Sequence, residues 1–157
     1  MKFKLSVNIL ICVLLTVFIF GNSADFPSES SALSSFVAEL FRPFFDLFVD
    51  THSFNFNHFV RKLAHFVEFA ALGIAVSFTA GSVEKLVKKS VKGYSLFYLL
   101  AVAVIDEYIQ RFFDRGSSVA DVMLDFSGAV FGLVSICAVR LVAKCVRKVY
   151  FRISNPR

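Results

Sequence analysis

Ile105-Asp106-Glu107-Tyr108-Ile109-Gln110-Arg111 closes an apolar run that begins near Tyr94. The run is long enough to enter a bilayer, yet its end carries two acids, an amide and a guanidinium. Charge at that depth is costly, so such groups face a partner, a cavity or a site rather than lipid. What surrounds them in the chain decides among these.

The composition points the same way. Apolar residues make up 57% of the 157 residues and charged ones 18%, with 21 Phe and no Trp. A soluble domain of this size would expose too much apolar surface. Apolar segments separated by short charged turns instead predict an all-α membrane protein in one domain, residues 1–157. Cys12, Cys137 and Cys145 are widely spaced and lie in or beside apolar helices, which is neither a disulfide framework nor a metal-ligand spacing. Basic residues are not interleaved with aromatics in a groove-like pattern, so nucleic acid is not an expected partner.

Four spans are predicted, at about 5–21, 63–80, 94–111 and 119–139. The first follows Lys2 and Lys4 and has a weak small-residue cleavage pattern around Gly21-Asn22-Ser23-Ala24. An uncleaved helix is favoured because further spans need an anchored start. A Ser-rich loop leads into an amphipathic segment at 34–50, with Phe36, Val37, Leu40, Phe41, Phe44, Leu47 and Phe48 at helical spacing. It is expected to lie in the membrane interface. His52 and His58 read as loop residues.

Twelve of the 17 basic residues fall before the first span, in the 81–93 loop and in the tail after Val139. The positive-inside rule makes that side cytoplasmic and puts both termini there. The chain is expected to cross a membrane several times, with the basic tail touching anionic lipid headgroups.

The intramembrane polar residues then converge on the outer end. Arg61, Lys62, His65 and Glu68 open the second span. Asp106, Glu107, Gln110 and Arg111 close the third. Arg115, Asp121 and Asp125 precede or open the fourth. At about 100° per residue, Arg61, His65, Glu68 and Leu72 share a face. Asp106 shares one with Gln110, and Glu107 stands four residues before Arg111. Asp121, Asp125, Gly128 and Gly132 share another, whose glycines allow close helix approach. The stripes predict an outward-facing pocket filled by a dense ion-pair network.

Read together, Arg61-Lys62-x-x-His65-Phe66-x-Glu68-Phe69, Asp106-Glu107-x-x-Gln110, Arg115-Gly116 and Asp121-x-x-x-Asp125-x-x-Gly128 resemble the VanZ-like family. The Ser-rich stretch Ser28 to Ser35 after the first span is also similar. The resemblance covers nearly the whole chain. It implies a small bacterial integral membrane protein linked to the cell envelope. The family's named member is associated with low-level teicoplanin resistance without altered peptidoglycan precursors. One position departs from the pattern: Asp125 stands where the resemblance implies Asn.

Arg61, His65, Glu68, Asp106, Glu107, Gln110, Arg111, Arg115, Asp121 and Asp125 are therefore the candidate ligand-binding residues. The expected ligand is an anionic lipid headgroup, a cell-wall precursor or an amphiphilic glycopeptide. If the protein is instead an enzyme, Glu107, Asp106 and His65 are the acid-base candidates. Bland roles stand beside these: a polar brace between helices, an interfacial anchor for Lys62, a solvated Asp114. His65 and Glu68 share a face at i, i+3, but no recognised ligand spacing is present, so no metal and no cofactor is expected. Oligomeric state and catalysis are not legible, and a scaffold for another membrane protein is the third alternative.

Overall fold

The structure, a computed structural model, describes residues 2–24, 39, 56–113, 116 and 118–154. These form four helices: α1 (Lys2–Ala24), α2 (Phe56–Val87), α3 (Lys92–Phe112) and α4 (Val119–Ser154). Apart from Glu39, the segment expected at 34–50 lies outside the described residues, as do His52, Asp114 and Arg115.

Three of the helices are long and apolar enough to cross a membrane, over Phe3–Ala24, His58–Val87 and Val119–Lys148. The third expected span is not among them, because Asp106, Glu107 and Arg111 sit in the last two turns of α3. Its 21 residues still reach about 31 Å, close to the thickness of a hydrocarbon core. Its buried positions, Ser95, Leu99, Val102, Ala103, Asp106, Glu107 and Gln110, follow one face along the whole helix. That face packs on α1, α2 and α4.

The helices extend past the apolar runs from which spans were drawn. α2 starts at Phe56, so His58 is helical rather than in a loop, and it continues to Val87 through most of the basic stretch. Charged residues outside a bilayer do not stop a helix. What stops α2 is Lys88, whose φ of 53° breaks the helical run. The Glu84 carboxylate then accepts hydrogen bonds from the Val91 N–H and the Ser90 hydroxyl, which closes the turn.

Side-chain bonds fix the up-down order. The Asn8 amide near the start of α1 donates to Ser82 near the end of α2, and the Asn22 amide near the end of α1 donates to Glu68 in the first half of α2. The Thr16 and Tyr98 hydroxyls, 2.7 Å apart, join α1 to α3. α1 and α3 thus run one way, and α2 and α4 the other. The apolar core is small, built on Ile19, Phe69, Leu72, Leu99, Val102, Ala103 and Ala129. Large apolar side chains such as Val17, Phe18, Phe97, Tyr108 and Phe131 point outward, as a lipid-facing surface requires.

α2 and α4 make the closest contact. A methyl group at Gly128 would stand 2.5 Å from the Phe66 carbonyl oxygen. One at Gly132 would collide with the Ala70 carbonyl, and one at Gly73 with that of Ala129. Small residues at these positions let the backbones touch, which is how helices associate when lipid removes the hydrophobic drive. The same contact sets the depth at which α2 and α4 present their polar residues.

The entry to α4 is built by three elements. Ser118 accepts from the Asp121 N–H through its hydroxyl, and its own hydroxyl donates to the Asp121 carboxylate. Its N–H donates to Glu107 Oε2 of α3 at 3.1 Å. In the usual capping box the residue three on returns that bond; here a neighbouring helix does. Ser118→Ala is expected to cost about 1 kcal/mol, measurable by denaturant unfolding in detergent.

Candidate functional site

The polar residues of α2, α3 and α4 meet at the end of the bundle where α1 and α3 finish and α2 and α4 begin. Asp106 is fully buried, and its Oδ2 accepts from the Gln110 side-chain amide at 2.8 Å. The pair is one turn apart, as their shared face requires. His65 Nδ1 of α2 lies 3.8 Å from the same oxygen. From α4, Asp125 enters at 2% exposure, and its Oδ2 has no hydrogen-bond partner among the described residues. Ligand atoms of His65, Asp106 and Asp125 all lie within 4.8 Å of one another.

A second layer surrounds this core. Lys62 is ion-paired with Asp121. Glu68 accepts from Asn22 at 2.9 Å through Oε1, while its buried Oε2 has no hydrogen-bond partner among the described residues. The Gln110 amide also reaches the Ser23 hydroxyl at 3.5 Å. Glu68, Asp106, Glu107 and Asp121 are all near enough to Asp125 to repel a negative charge on it.

Several expectations change here. Of the expected ion-pair network, Lys62 with Asp121 and His65 with Asp106 are the pairs within ion-pair distance among the described residues. Lys62, expected as an interfacial anchor, is ion-paired with Asp121. Arg61 turns to His58, 3.2 Å away, instead of joining Glu68. Arg111 is exposed. Glu107, an acid-base candidate, holds the Ser118 N–H. Asn22, Ser23 and Ser118 belong to the cluster but carried no periodic signal, because two close the first helix and the third lies in a turn.

The cavity at the cluster, lined in part by Lys62, His65, Glu107, Asp121 and Asp125, is about 20 Å³. That is room for one water or one ion. A larger cavity, about 960 Å³, opens at the opposite end of the bundle. Lys4, Lys85, Arg140, Lys144 and Arg147 line it, with Glu84 as the acid. Arg140 is fixed there by a bond to the Ser77 carbonyl at 3.2 Å and by stacking over Phe78. The chain thus has an acidic, tightly filled end and a basic, open one.

The same motifs that build the acidic end lie inside a family match. The sequence model of the VanZ/LLP1 family matches residues 8–141. The chain belongs to the VanZ/LLP1 family. The matched region takes in all of α2 and α3, most of α1 and α4 through Leu141, so every residue of the polar cluster falls within it. No curated protein and no solved structure matches the chain. Among the described residues, this VanZ/LLP1 protein is all-helical, with three helices long and apolar enough to span a membrane.

Proposed function

We propose that this VanZ/LLP1 protein is a cell-envelope binding protein of the bacterial cytoplasmic membrane. It crosses the membrane four times, keeps both termini in the cytoplasm, and engages an anionic headgroup of an envelope lipid or lipid-linked cell-wall intermediate at its outer end. Glycopeptide tolerance follows from that engagement. The observation that carries this reading is the gathering of His65, Asp106 and Asp125 from three helices into one buried cluster. A bundle needs no such concentration of acids to fold, and polar groups kept at this cost within a membrane mark sites.

Arg61 and Lys62 stand at the rim of the small cavity, and Arg61 would meet the phosphate or carboxylate first. Arg111, exposed one residue beyond Gln110, would add a third cation. The fourth span would be α3, sheltered by the other helices, which explains how its charged end is tolerated. At the basic end, the cavity lined by Arg140 and Lys144 suits anionic phospholipid on the cytoplasmic leaflet. In the enzyme alternative, Asp106 and His65 would be the acid-base pair, since Glu107 is engaged with the Ser118 N–H.

The test is a substitution series in a teicoplanin-susceptible bacterium. Arg61→Gln and His65→Gln are expected to insert and accumulate like the wild type while losing the rise in teicoplanin tolerance. Full tolerance in both variants would overturn the proposal.

A further inference from the structure

The geometry points to a divalent transition-metal site formed by His65 of α2, Asp106 of α3 and Asp125 of α4. It rests on the reading of the outer end as a ligand site and names what occupies its core.

Three observations converge. First, one imidazole nitrogen and two carboxylate oxygens already lie within 4.8 Å of one another, with His65 Nδ1 and Asp106 Oδ2 at 3.8 Å. Ligand atoms about 2.0–2.1 Å from a tetrahedral ion are separated by about 3.3 Å. Side-chain rotations therefore suffice to close the set. Second, Asp125 is almost wholly buried, and its Oδ2 lacks a hydrogen-bond partner among the described residues. Buried carboxylates are otherwise paired, hydrogen-bonded or bound to metal. Third, a cavity of about 20 Å³, which His65 and Asp125 line, leaves room beside them for one water or one ion.

Charge balance supports the same occupant. Glu68, Asp106, Glu107, Asp121 and Asp125 crowd this end, and Lys62 is committed to Asp121. A dication offsets the two acids it binds. It also adds a positive centre beside Arg61 for an anionic headgroup, with a coordination position open beyond the three protein ligands. The donor set of one nitrogen and two oxygens suits Zn²⁺ or Mn²⁺ better than Ca²⁺ or Mg²⁺, which prefer all-oxygen shells. Gln110, bonded to Asp106 at 2.8 Å, orients a ligand from outside the coordination shell.

The test uses the full-length chain in nanodiscs, stripped with EDTA and then titrated with Zn²⁺, Mn²⁺ or Mg²⁺ while bound metal is measured by mass spectrometry. One Zn²⁺ or Mn²⁺ per folded chain is expected, with Mg²⁺ bound far more weakly. His65→Gln and Asp125→Asn should each weaken binding by at least the roughly 10–100-fold that loss of an outer-shell partner alone costs. No binding to folded wild type overturns the site, and so does binding that both variants leave unchanged. If metal does not bind but Arg61→Gln still abolishes tolerance, the metal proposal fails and the headgroup reading stands. If metal binds and Arg61→Gln and His65→Gln keep full tolerance, the headgroup reading fails and the metal site stands.

Discussion

Gly132→Leu is expected to leave the chain in the membrane but to dissolve the pairing of α2 with α4. Even a methyl group at Gly132 would meet the backbone carbonyl of Ala70, not the flexible end of a side chain. Backbone cannot yield without separating the helices, and Gly73 and Gly128 make the same demand on either side. Overpacking commonly costs about 1–3 kcal/mol; here the cost should reach about 3 kcal/mol or more, since a helix rather than a rotamer must move. Leucine lipophilicity leaves insertion intact, so the loss is one of packing. Gly21→Leu and Gly93→Leu, at positions with nothing within 4 Å, are the controls and should not open the bundle. Denaturant unfolding in detergent, read beside helical content, checks it. An unchanged midpoint for Gly132→Leu would mean that α2 and α4 do not meet as described.

Lys62→Met is the second large effect, and its cause is electrostatic. Lys62 is the cation paired with Asp121, in a region that also holds Glu68, Asp106, Glu107 and Asp125. Removing it leaves the Asp121 carboxylate facing other acids, with the Ser118 hydroxyl as its donor among the described residues. The pair is partly open to solvent, with side-chain exposures of 36% and 20%, so the cost is below that of a fully buried pair. We expect a loss of about 2 kcal/mol. Lys62→Arg should keep most of the stability, and Lys62→Met combined with Asp121→Asn should recover it, because the stranded charge is then gone. If the double variant is no more stable than Lys62→Met alone, the pair does not couple and Asp121 is held by Ser118 instead.

The sequence made the faces readable but not their partners. Asp106 and Gln110 share a helical face, and the structure joins them directly. Asp125, Gly128 and Gly132 share another, and all three are buried. Both inferences needed only helical periodicity and the costliness of polar groups in lipid. By contrast, Lys62 and Asp121 are 59 positions apart, and the Glu107 bond to Ser118 depends on how α3 hands the chain to α4. No local pattern encodes either. Asn22 and Ser23 looked like the end of a cleavable segment because small polar residues serve both uses. The helices outrun the expected spans because hydropathy marks where lipid ends, whereas helices such as α4 continue; its 36 residues run about 54 Å.

On the proposed function, the acidic end is kept at a cost to stability, and Asp125 is the member whose buried Oδ2 lacks a hydrogen-bond partner among the described residues. The most direct measurement is the unfolding free energy of Asp125→Asn against wild type, in metal-free detergent solution. An amide of the same size replaces a buried carboxyl group crowded by four neighbouring acids and brings two donors to them. The variant should therefore be more stable than wild type by about 2 kcal/mol, the scale on which an unsatisfied buried polar group is costly. If Asp125→Asn is instead less stable than wild type, the carboxylate braces the helices, and the cluster is a structural joint rather than a site.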